Sequence, residues 1–125
     1  MHVIDTYAWI EYFKGSRFGA KIKRQIETKN NITPTIVLAE ISKFFTDLNR
    51  KDLKEKLDFI RSQSQVLALD EATAIIAGCI RSTMGNTGMG IVDCILLAVA
   101  RLHKTKVLTG DKHFKNLEDA DYFEL

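Results

Sequence analysis

The amino-acid sequence predicts an α/β domain built on a mostly parallel sheet of four to five short strands. Short apolar runs (HVI, NIT, QVLAL, TKVLT) alternate along the chain with helices or helix pairs of 3.6-residue period, the pattern of βαβ units. Pro34 and the glycine- and asparagine-rich stretch 85–90 fall at turns, and no repeat, linker or low-complexity segment interrupts the 125 residues. An apolar fraction of 46% over that length is enough for one core, so residues 1–125 read as a single domain.

Each element follows from its own residues. HVID opens the chain as a strand, and TYAWIEYF continues as a helix that Gly15-Ser16 should end. FGAKIKRQIE places Phe18, Ile22 and Ile26 on one stripe of an amphipathic helix. NIT is a strand before Pro34, and TIVLAEISKFFTDL a strongly apolar helix that Thr35 should cap. KDLKEKLDFIRS aligns Leu53, Leu57 and Ile60, QVLAL is the third strand, and Asp70 stands as N-cap to EATAIIAGCIRSTM. GIVDCILLAVARLHK is apolar almost all round and should be central; TKVLT is the fourth strand and DYFEL a short edge strand.

Composition narrows the classes. Cys79 and Cys94 lie in apolar helical patterns without metal spacing and read as reduced, packed thiols. The start lacks the basic and apolar regions of a signal peptide, and the longest apolar run, CILLAVA, is far too short to span a membrane. A cytoplasmic protein without membrane contact is expected. Net charge is only +2, yet the final EDADYFEL holds four acids and no base, so the preceding residues are distinctly basic. KIKRQ at 21–25 and RKDLKEK at 50–56 are solvated helix faces or the footprint of a polyanion.

Four carboxylates resist a bland reading. Asp5 ends the first strand and Asp111 follows the fourth, so both belong on the carboxyl rim, where open parallel sheets form their sites. Glu40 sits among Ile36, Val37, Leu38, Ile41 and Phe44, and Asp93 in the first turn of the central helix. Asp5 as a helix cap, Glu40 paired with Lys43, Asp93 stabilised by the helix dipole and Asp111 as a turn residue are the alternatives. Together these acids would repel and raise one another's pKa unless a cation joined them. Oxygen ligands alone suit Mg2+ or Mn2+, and metals in an acidic pocket serve phosphodiester hydrolysis.

On these residues the sequence resembles the PIN-domain ribonucleases and, among them, the VapC toxins of prokaryotic toxin–antitoxin pairs. VIDTYAWIEYF, TPTIVLAEI, GMGIVDCILLAVA and VLTGDKHF match the family's four acid-bearing segments in order and spacing, over nearly the whole chain. The resemblance implies a PIN-like three-layer α/β/α fold and a metal-dependent endoribonuclease. Asp5, Glu40, Asp93 and Asp111 would hold Mg2+ or Mn2+, with Thr6 and Thr109 as supporting polar positions. It further implies an RNA substrate, a cognate VapB-like antitoxin and a homodimer, the last also expected from surplus apolar surface on TIVLAEISKFF and DLKEKLDFI. Two positions depart from the pattern: Tyr7 replaces a common serine, and His113 stands where many relatives carry a further acid. No two of His2, His103 and His113 have ligand spacing, and no catalytic role is expected of them.

The alternative within enzymes is a housekeeping PIN nuclease of RNA processing without an antitoxin. Haloacid-dehalogenase phosphatases need a second aspartate where Tyr7 stands, response-regulator receivers need an acidic pair that is missing, and no P-loop or GxGxxG is present. A non-catalytic scaffold would have no use for four such acids.

Overall fold

A computed structural model describes residues 1–124; Leu125, the last residue of the expected DYFEL strand, lies outside the described residues. The elements run β1 (His2–Ile4), α1 (Thr6–Lys14), α2 (Arg17–Ile26), β2 (Asn31–Pro34), α3 (Thr35–Asp47), α4 (Leu53–Gln63), β3 (Ser64–Leu67), α5 (Glu71–Met84), α6 (Ile91–Leu102), β4 (Lys106–Thr109), a 3₁₀ turn (Lys112–Phe114) and β5 (Ala120–Tyr122). The strands form one sheet in the order β3-β2-β1-β4-β5, every neighbouring pair parallel.

Topology alone sets the layers. The helices α1 to α4 carry the chain from β1 outward to β3, and α5 and α6 carry it back to β4. Right-handed crossovers place the first four on one face and the last two on the other. Packing agrees: α1 meets α2 and α3, α3 meets α4, and α5 lies along α6. The result is the expected three-layer α/β/α arrangement with a wholly parallel sheet. The strand order reverses between β1 and β4, which puts the crevice at a topological switch point directly beyond their carboxyl ends.

The core explains the sequence pattern. Residues Cys94 to Ala100 of α6 are all buried, so this helix is central, as its apolar circumference required. On the opposite face Trp9 is fully buried, stacks on Phe13 at 5.6 Å and donates its indole N–H to Thr33 Oγ1 at 3.1 Å. Thr33 in turn shares a hydrogen bond with Ser64 at 2.8 Å, so a polar pair buried in β2 and β3 is satisfied internally. Gly15 closes α1 in the left-handed region at φ 66°, a geometry that glycine adopts without a Cβ penalty.

Local expectations hold at Asp70, whose side chain accepts from Thr73 N and caps α5, and at Gly15-Ser16, where α1 ends; Ser16 also caps α2 by accepting from Gly19 N. Three fail for physical reasons. Pro34, not Thr35, occupies the N-cap of α3 and makes no side-chain bond; its fixed φ of −64° suits the entry, and Thr35 is already helical. Cys79 is exposed while Cys94 is buried, because α5 covers only one side of α6 and turns its other side outward. The surplus apolar surface of α3 and α4 is largely absorbed: Val37, Ile41, Phe45 and Ile60 are buried, and Leu53, Leu57 and Phe59 pack against them. The large apolar side chains that stay exposed include Leu48, Leu69, Ile75 and Ile91. Among the described residues no helix is long and apolar enough to cross a membrane.

Candidate metal centre

Asp5 leaves β1 at the switch point and is 4% exposed. It does cap α1, accepting from Ala8 N at 2.7 Å through Oδ1. The cap is not the whole account. Burial pushes its carboxyl up to about 7, against the pull of the Thr109 side chain and the Ala8 amide, and the charges of Asp111 and Asp93 push the same way. A cap that served only the helix gains nothing from being sealed among other acids.

Thr109 ends β4 fully buried, and its Oγ1 accepts from Asp111 N at 3.0 Å, which turns the chain so that Asp111 stays on the rim. Asp111 Oδ1 accepts from His113 N at 3.0 Å and lies 2.9 Å from His113 Nδ1. Asp93, in the first turn of α6, accepts from Gly90 N at 3.3 Å. Its carboxyl is raised, first by burial and then by the charges of Asp111 and Glu40, while the Gly90 N–H and His113 offset part of the effect. Glu40 projects from α3 on the exposed side and accepts from Thr6 Oγ1 at 2.6 Å; the alternative pairing with Lys43 is not made, since Lys43 pairs with Asp47.

The tightest group was not the expected quartet. Ligand atoms of Asp93, Asp111 and His113 all lie within 4.8 Å of one another, whereas Asp5 and Glu40 reach the group through their charge. His113, given no role from sequence, is therefore a member. The signal was its position two residues after Asp111, where the resemblance calls for an acid. Packing holds it there: Gly88, at φ +84°, passes so close that a Cβ would stand 2.8 Å from His113 Nε2.

The donor set fits a divalent ion. Two carboxylates and an imidazole converge within one coordination shell, two more acids stand nearby, and among the described residues no lysine or arginine pairs with Asp5, Glu40, Asp93 or Asp111. A nitrogen ligand beside carboxylates tilts the preference toward Mn2+ relative to an all-oxygen site. An apolar cleft of about 690 Å³ lies elsewhere, lined by Tyr12, Phe13, Lys23, Lys56 and Phe59 of α1, α2 and α4.

No curated protein matches the sequence. In structure the chain is similar to a toxin–antitoxin complex from Klebsiella pneumoniae (17% identity, TM-score 0.79, 100% of both chains covered). It is also similar to FitAcB from Neisseria gonorrhoeae (24%, 0.75, 98% of this chain and 97% of that one). DNA-bound VapBC from Salmonella typhimurium is a third such structure (20%, 0.74, 99% and 98%). At these identities the likeness is one of fold. The PIN domain family model matches residues 2–120, so a parallel sheet with its acids gathered at the switch point belongs to a member of the PIN domain family.

Proposed function

We propose that this chain is a Mg2+- or Mn2+-dependent endoribonuclease, the toxin of a type II toxin–antitoxin pair acting in the cytoplasm. The observation that carries the reading is the convergence of Asp93, Asp111 and His113 beside a buried Asp5, with no lysine or arginine paired to these acids among the described residues. Membership of the PIN family and the likeness to toxin–antitoxin complexes support it.

Asp5, Asp93, Asp111 and His113 would hold the ion, with Glu40 joining directly or through water. A bound divalent ion supplies Lewis acidity toward a phosphoryl oxygen and lowers the pKa of a water. The chain's own residues do the rest. The Ala8 N–H and Thr109 fix Asp5, Thr6 orients Glu40, and Glu40 accepts a proton from the water that attacks phosphorus, while the departing nucleoside oxygen takes a proton from solvent as its P–O bond breaks. Exposed Lys23 and Arg24 of α2, without carboxylate partners among the described residues, attract the backbone, so binding weakens as salt rises.

Cleavage of single-stranded RNA should depend on Mg2+ or Mn2+ and stop in EDTA; undiminished cleavage in EDTA would remove the metal reading. The partner is an antitoxin whose apolar helix fills the cleft at Phe13 and Phe59 and whose arginine reaches the carboxylates, as bidentate pairing favours. Co-expression with a neighbouring small reading frame should form a complex and restore growth. Failure of both favours a processing nuclease. The chain is further proposed to be a homodimer, and a monomer in sedimentation at every concentration would refute this.

A further inference from the structure

A second cavity, of about 330 Å³, adjoins the carboxylates and shares Thr6 and Glu40 with them. Its remaining wall is Ile10, Phe44 and Leu48, with Lys43 and Asp47 at the rim. We propose that this cavity is a subsite for an unpaired guanine of the RNA substrate, read by Lys43 and Asp47. The assignment rests on the nuclease reading in taking RNA as the ligand.

The chemistry of the walls selects the class of occupant. RNA is recognised in sequence mainly through unstacked bases, which stack on aromatic rings while side chains bond their Watson–Crick edges. Phe44 is half-buried and Ile10 partly so, while Leu48 is 55% exposed, a set of apolar surfaces without a protein side chain over them. Flat apolar walls suit the face of a base, and an aromatic ring offers stacking that any base accepts. A strand reaching the metal centre past Glu40 has this cavity beside it, because both are built on Thr6 and Glu40.

The rim selects the base. Lys43 Nζ lies 2.6 Å from Asp47 Oδ2, one helical turn along α3, so a cation that only donates stands next to a carboxylate that only accepts. Guanine presents the complement on one edge: O6 accepts, and N1–H and the N2 amino group donate. Adenine presents a donor and a single acceptor, and the pyrimidines offer a smaller stacking face. Asp47 would take N1–H and N2–H together, and Lys43 would turn to O6. Lys43 and Asp47 are 79% and 59% exposed, so neither is committed to the core.

The test uses the whole chain without metal, titrated with the 5′-monophosphates of guanosine, adenosine, cytidine and uridine and followed by NMR. Guanosine monophosphate should shift the Phe44 and Asp47 resonances and bind about tenfold or more tighter than the adenosine nucleotide. Asp47→Asn, a surface change that leaves folding intact, should erase that preference, and Phe44→Ala should weaken all four nucleotides together. In cleavage assays, replacing the preferred guanine by inosine, which lacks the N2 amino group, should cost most of the same factor in kcat/KM. Equal binding of all four nucleotides, or a guanine preference that survives Asp47→Asn, would overturn the assignment. Guanine-selective binding in a protein that cleaves no RNA with any divalent ion would uphold the subsite and sink the nuclease reading instead.

Discussion

The acids of the switch point and those of the final EDADYFEL segment are treated in opposite ways by one fold. In the final segment Asp119 pairs with Arg101 at 2.8 Å, Asp121 with His2 at 2.9 Å, and Glu124 with Lys115 at 3.8 Å. At the switch point Asp5, Asp93 and Glu40 have no cationic partner among the described residues, and Asp111 has only His113. The first group fastens β5 and the loops around it to the sheet. Of the second, Asp5 is sealed and Asp93 half-buried, and burial raises both carboxyls, while Glu40 stays exposed. Unpaired buried charge is what structural acids avoid. Acids that keep it suit the proposed metal site.

Substitutions break this comparison in order of size. Asp93→Asn and Asp111→Asn should lower RNA cleavage by more than the roughly 10- to 100-fold that loss of a ligand's supporting partner costs, with the fold kept by circular dichroism. Were Asp93 only a helix-terminal charge, Asn would be nearly neutral.

Asp5→Asn should show the cost of sealing an acid inward. A carboxyl raised from 3.8 to about 7 by folding favours the native state below its ordinary pKa, and that contribution disappears as pH rises through 7. The metal-free protein should therefore lose on the order of 2 to 4 kcal/mol from this group between pH 4 and pH 8. Asp5→Asn, which still caps α1, should flatten that slope in denaturant titrations while abolishing cleavage. An unchanged slope would mean that Asp5 is charged at little cost.

His113 sharpens the boundary of the site. His113→Ala should reduce Mn2+ affinity about 10- to 100-fold, whereas His113→Asp should preserve cleavage and move the preference toward Mg2+, since an all-oxygen set suits the harder ion. Calorimetric titration with each metal decides it. At the small end, Asp119→Asn should cost no more than about 1 kcal/mol of stability, as partly exposed ion pairs do, with cleavage unchanged.

The parts of the site visible in the sequence are those that local rules place. Asp5 and Asp111 follow strands, and a parallel sheet sends strand ends to one rim, so their meeting followed once βαβ alternation was recognised. The span of α5 over Glu71–Met84 and its Asp70 cap follow from neighbours in sequence. His113 escaped because an exposed turn has no periodicity; its approach to Asp93 depends on how α6 seats on β4 and on the passage of Gly88. The outward turn of Cys79 escaped for a similar reason, since an apolar helix pattern does not say which side a neighbouring helix leaves uncovered. The hydrogen bond from Thr6 to Glu40 was beyond local rules, because it joins two helices far apart in sequence, whereas the i,i+3 alternative at Lys43 lost to the i,i+4 pair with Asp47.

The pairing of β1 with β4 joins Ile4 to Leu108, so the two strands that build the rim come from nearly opposite ends of the described sequence. Contacts of such separation form late, after the intervening chain has been laid down. During synthesis Asp5 emerges long before Asp111, and a nascent chain carrying α1 to α5 has neither β4 nor the imidazole beside it. On the proposed nuclease reading, connectivity itself is a safeguard: the acidic rim stays incomplete on the ribosome until β4 and Asp111 have emerged to join Asp5.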